Sequence, residues 1–85
     1  MITFIINSPN HPYKLELRWN ERMSEKSVAA IHAAIDNIHG VERVNMHRYA
    51  AEIFYAAHLV DDKILGPAVK AALLEILNPE EAEVL

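Results

Sequence analysis

The chain has 85 residues, 52% of them hydrophobic and 24% charged, with a formal net charge of −4 and no cysteine. Such a length and composition describe one packed domain rather than a disordered segment, and the missing thiols exclude a disulfide framework, a thiolate metal site and a cysteine nucleophile. Glu80, Glu81 and Glu83 supply three of the negative charges, so the rest is close to neutral and has no general attraction for nucleic acid or anionic membrane.

In chain order, Ile2 to Ile6 is a short β-rich run closed by the turn cluster Asn7-Ser8-Pro9-Asn10 and extended by His11-Pro12. The run lacks the basic start and the length of a signal peptide, and no segment has the length of a membrane span, so a cytoplasmic location is expected. Tyr13 to Trp19 alternates, with Leu15, Leu17 and Trp19 on one side and Lys14, Glu16 and Arg18 on the other, the pattern of a strand with one wet face. After the polar link Asn20–Met23, Ser24 is a helix N-cap and Glu25 suits the positive end of the helix dipole. Val28, Ile31, Ile35 and Ile38 then recur at spacings of three and four, which predicts a helix from Glu25 to His39.

Gly40 is placed to stop that helix in the left-handed C′ conformation. From Val41 the period changes to two, predicting a strand to about Arg48, a turn near Tyr49-Ala50-Ala51 and a strand from Glu52 to about Leu59. Asp61 or Asp62 caps a last helix running to Leu77, with an inner stripe of Leu65, Val69, Ala72, Leu73 and Ile76. Gly66-Pro67 falls early in it: either a first turn ends there and the main helix starts at Pro67, or the helix bends. Asn78-Pro79 ends it, and residues 79–85 read as an acidic frayed tail. The sum is a single α+β domain over residues 1–78 in the order ββαββα. Its cheapest packing is a two-layer sandwich, a four-stranded mainly antiparallel sheet with both helices on one face.

Three local features resemble the N-terminal domain of Nfu/NifU-type iron–sulfur scaffold proteins. They are Ser8-Pro9-Asn10-His11 followed by Lys14-Leu15, the Gly-Val hinge in Ile38-His39-Gly40-Val41-Glu42-Arg43-Val44, and Ile64-Leu65-Gly66-Pro67-Ala68-Val69 with its early proline. The resemblance spans about Ile2 to Leu77. It implies an accessory of iron–sulfur cluster assembly and not a cluster carrier, since in that family the cluster belongs to a separate cysteine-bearing domain.

Sites of chemistry are hard to find. Glu25, His32, Asp36 and His39 fall along one flank of the first helix. His32 and His39, however, are two turns apart, about 10 Å along the axis, too far to share one ion. His39 has a plainer role at the helix C-terminus, and capping explains Asp61 and Asp62 beside His58. A histidine-based metal-binding protein is therefore the alternative reading, and the expectation is no metal ligands and no cofactor. No nucleophile elbow and no phosphate-cradling glycine loop exists. A general acid–base pair among His47, Glu52 and His58 has no support from spacing, so no enzyme activity and no catalytic residue are expected.

Surfaces are more informative. With Leu15, Leu17, Val44 and Met46 turned to the helices, Lys14, Arg18, Arg43, Asn45 and His47 share the open face of the sheet. Ile5 joins them if Phe4 and Ile6 point inward, and Phe54 if Ile53 and Tyr55 do. One aromatic in an acidic chain does not make an RNA-stacking platform. Leu74 and Leu77 lie off the inner stripe of the last helix, and Ala29, Ala30 and Ala33 give the first helix an outer apolar face, which fits a dimer or a protein-binding surface. The expectation is a small protein-interaction domain working through Lys14, Arg18, Arg43, His47, Phe54, Leu74 and Leu77. Its partner is a protein or a second copy, not nucleic acid or membrane; a phage or mobile-element protein that docks onto a host protein reads the same way.

Overall fold

The computed structural model describes residues 1–9 and 13–85. Its elements are β1 (Ile2–Asn7), β2 (Lys14–Trp19), α1 (Glu25–Asp36), β3 (Val41–Met46), β4 (Ala50–Tyr55), α2 (Asp62–Ile76) and β5 (Ala82–Val84). The strands form one open five-stranded sheet in the order β3-β4-β2-β1-β5. Every pairing is antiparallel except that of β1 with β5. The Asn10–Pro12 part of the first expected turn lies outside the described residues.

Alternation decides which way each strand faces. Phe4, Leu15, Leu17, Trp19, Val44, Ala51, Ile53 and Tyr55 are buried and merge with Ile31 and Ile35 of α1 and Leu65, Val69 and Leu73 of α2 in one core. Full burial of each large aliphatic side chain there contributes about 1.5–3 kcal/mol. Both helices therefore cover one face of the sheet, and the other face carries the polar half of each strand.

The helix starts follow the caps. Ser24 Oγ accepts from the Ser27 N–H at 3.1 Å, and of the two candidate aspartates it is Asp61 that caps α2, accepting from the Lys63 N–H at 2.7 Å. Pro67 lies inside one continuous α2, so of the two alternatives the restart of the helix at Pro67 is set aside.

Several boundaries differ from the sequence expectation. Helix α1 ends at Asp36 with Asn37 as its C-cap, short of His39, because the Ile38 N–H bonds the Ile35 carbonyl and tightens the chain out of the helix. Gly40 is then not the C′ residue of α1. It is the third residue of a turn closed by Val41 N–H to Ile38 C=O at 3.1 Å, and its φ of +90° is what a type II turn requires there. Strands β3 and β4 are shorter than expected, joined tightly at His47–Tyr49, and residues after Tyr55 fold into a turn with Leu59 and Val60 N–H groups on the Ala56 carbonyl.

The largest difference is at the end. Residues expected to fray instead turn back after α2 and lay β5 beside β1, with Ile2 opposite Ala82 and Phe4 opposite Val84. Ala82 and Val84 are 3% and 8% exposed, and main-chain bonds from Ile2 N–H to Glu81 C=O and from Leu85 N–H to Phe4 C=O fix both ends. The Ala-Glu-Val alternation is a strand signal three residues long, hidden by the surrounding glutamates.

Candidate functional site on the open sheet face

Cross-strand register sets out the open face in rows. Arg43, Phe54 and Lys14 form one row across β3, β4 and β2, and Asn45, Glu52, Glu16 and Asn7 form the next, reaching β1. Ala50, Arg18 and Ile5 form a third. Adjacent rows are two residues apart along each strand, about 7 Å.

The middle row places two carboxylates, Glu16 and Glu52, directly opposite each other, an arrangement that is unfavourable unless cations intervene. Three basic groups do so. Lys14 Nζ lies 2.7 Å from Glu52 and 3.8 Å from Glu16, Arg18 lies 3.6 Å from Glu16, and His47 Nε2 lies 2.8 Å from the second oxygen of Glu52. The Lys14 ammonium, followed by His47, holds the Glu52 carboxyl down at about 2, and Glu52 in turn raises Lys14. The Arg43 guanidinium is used differently: it stacks on the Phe54 ring, 4.5 Å from the centroid, and forms no ion pair among the described residues.

The structure thus brings Lys14, Arg18, Arg43, His47 and Phe54 onto one face, with Ile5 beside Arg18 and 49% exposed. Leu74 is elsewhere, on the outer side of α2 and 38% exposed. Leu77 must be withdrawn from the surface set. It is 5% exposed, at the C-cap where the chain leaves the helix with φ −111° and ψ 134°. Leu77 also lies four residues after Leu73 and continues the buried row Leu65, Val69 and Leu73, its N–H still bonded to the Leu73 carbonyl.

Among the candidate acid–base groups, His47 and Glu52 do meet, but Glu52 is also clamped by Lys14. Asp62 accepts from Ser8 Oγ at 2.8 Å, which lowers its carboxyl. Among the described residues, no group of three or more His, Asp or Glu side chains gathers as a metal site, and His32 is turned to β3, its Nε2 3.2 Å from the Val44 carbonyl. Among the described residues, no helix is long and apolar enough to cross a membrane.

Sequence reasoning missed the Glu16–Glu52 pair and its shared cations, because register between β2 and β4 is fixed by strands that are distant in sequence. Comparison with known proteins adds no neighbour: the chain matches no protein-family model, no curated protein and no solved structure.

Proposed function

We propose that this chain is a small non-enzymatic protein-interaction domain whose working surface is the open face of its sheet. The carrying observation is the row Arg43–Phe54–Lys14. Here a guanidinium lies on an aromatic ring on a face that both helices leave uncovered. An arginine on an aromatic face keeps its edge donors available while the ring and the guanidinium plane offer apolar contact, the combination that anchors protein interfaces. The sequence resemblance to the Nfu/NifU N-terminal domain supports a partner among the components of iron–sulfur cluster assembly.

The test is a quantitative pull-down from the native host with the wild type, Arg43→Glu and the helix-side control Lys70→Glu. Proteins retained by the wild type and by Lys70→Glu but lost with Arg43→Glu support the reading. Equal behaviour of the two variants overturns it.

A second reading, self-association through the outer helix surfaces, is favoured by the exposure of Leu74 and Ile64 on α2 and of Ala29, Ala30 and Ala33 on α1. Light scattering on the wild type and Leu74→Glu distinguishes it. A monomeric mass for both ends that reading.

A further inference from the structure

Beyond the open-face reading, and independently of it, we propose that the outer edge of β5 accepts an extended basic polypeptide segment as a further strand of the sheet. The sheet has two outer edges, β3 and β5, and they are not alike. At β3 the outward Val44 carbonyl is taken by His32, and a register shift between Val41 and Arg43 interrupts the strand. At β5, Ile2 N–H bonds Glu81 C=O and Leu85 N–H bonds Phe4 C=O, with Ile2 opposite Ala82 and Phe4 opposite Val84. In a parallel ladder that pattern commits the main-chain groups of Glu81, Glu83 and Leu85 to β1 and turns those of Ala82 and Val84 outward. The Ala82 N–H is used within the chain, on the Asn78 carbonyl. The Ala82 carbonyl and both main-chain groups of Val84 have no neighbouring strand to bond, and such groups are the template for adding one.

Charge around that edge selects the occupant. Residues 75–85 carry the carboxylates Glu75, Glu80, Glu81 and Glu83 and no lysine, arginine or histidine. All of these carboxylates are exposed, and none is in an ion pair among the described residues. Strand β1 beside them is uncharged, the Met1 amino group is held by Glu21, and Arg18, one strand further in, is directed to Glu16. A second copy paired edge to edge would gather the same carboxylates from both chains with no cation between them, which is repulsive. A strand bearing lysine or arginine meets the opposite situation. Paired antiparallel, its residue opposite Val84 points to the helix layer as Val84 does, and the residue opposite Glu83 points to the open face. The fitting segment therefore alternates, apolar at the residues whose N–H groups meet β5 and basic between them.

The experiment is a titration of the ¹⁵N-labelled chain with a short capped peptide of alternating valine and lysine, followed by amide chemical shifts. Its companions are the same peptide with glutamate for lysine, and two forms N-methylated at every valine or at every lysine. The basic peptide is expected to move the amides of residues 82–85 and of the facing β1 residues, and to bind more weakly as salt rises. Methylation at valine removes the N–H groups that face β5 and should cost at least about fivefold in affinity, whereas methylation at lysine, on the edge turned away, spares it. Val84→Pro removes the outward N–H and no bond to β1, so it should lose a comparable factor with the β1 amides in place; if those amides move in the free variant, the two methylated peptides decide alone. Shifts confined to other surfaces, equal binding of the glutamate peptide, equal behaviour of the two methylated forms, or no movement at about 5 mM peptide overturns the inference. Arg43 lies on the opposite edge strand, so Arg43→Glu should bind the peptide as the wild type does, and failure here leaves the open-face reading standing.

Discussion

Replacing Gly40 by alanine is the sharpest test of how the two halves are joined. A Cβ at this position meets the side chain of Val60, with Val60 Cβ at 2.8 Å and Cγ1 closer still. Val60 is itself 9% exposed and part of the core. The backbone adds a second cost, since φ is +90° and an L-residue in the left-handed region loses about 1–2 kcal/mol. Overpacking a filled core costs typically about 1–3 kcal/mol, so Gly40→Ala should destabilise by about 2–5 kcal/mol. At about 4–8 °C per kcal/mol for a domain of this size, that removes much of the thermal margin. The clash and the strain separate in a double-mutant cycle. In a Val60→Ala background Cγ1 is gone, and Gly40→Ala should then cost about 1 kcal/mol less than in the wild type. Urea unfolding followed by the fluorescence of Trp19, the single tryptophan, measures all four proteins. A cost below about 0.5 kcal/mol for Gly40→Ala refutes the reasoning at the level of surface substitutions. Strict additivity in the cycle refutes the clash.

Three further outcomes are expected. Glu52 has its carboxyl lowered from 4.5 to about 2; a group depressed in the folded state stabilises above its unfolded value and loses that contribution as pH falls through the folded one. The urea midpoints of wild type and Glu52→Gln should therefore differ at pH 7 and converge between pH 4.5 and 2; a gap that does not change with pH in that window contradicts the ion-pair assignment. Deleting residues 82–85 removes the buried Ala82 and Val84 and uncovers the β1 edge, which should cost about 2–4 kcal/mol and abolish amide protection at the β1 donors that face β5; an unchanged melting temperature would show that β5 contributes nothing. Trp19 Nε1 is buried with no hydrogen-bond partner among the described residues, so Trp19→Phe sheds a desolvated donor worth about 1–3 kcal/mol as it loses packing. Circular-dichroism melting should place that variant within about 1 kcal/mol of wild type, and a loss above about 3 kcal/mol would reveal a bond on the indole.

Periodicity carried most of the architecture. The strand alternation at Leu15-Leu17-Trp19 and the helical stripes through Ile31 and Ile35 and through Leu65, Val69 and Leu73 report burial directly, and the structure buries these residues. The wet-face residues Lys14, Arg18, Arg43 and Phe54 follow from the same alternation, since a residue next to a buried one in a strand must point the other way. What the sequence left out depends on distance along the chain. The Ala82–Val84 strand is too short for a periodic signal, and it forms because the β1 edge is there to receive it. The Glu16–Glu52 pairing needs a register between strands with a helix and a strand between them in sequence. Leu77 was misplaced because the inner stripe was drawn through Ala72 and Ile76, whereas the buried row follows Leu65, Val69 and Leu73 at steps of four and continues to Leu77.

The imidazole of His32 has a consequence for how the molecule survives at high concentration. Sheet order leaves β3 with no neighbour on one side, and an unpaired strand edge is a template for indefinite stacking of like chains. With its proton on Nε2, His32 donates to the outward carbonyl of Val44, while the register shift between Val41 and Arg43 breaks the straight run of the strand. One side chain from the helix layer thus takes up an outward acceptor that a strand added at the β3 edge would need.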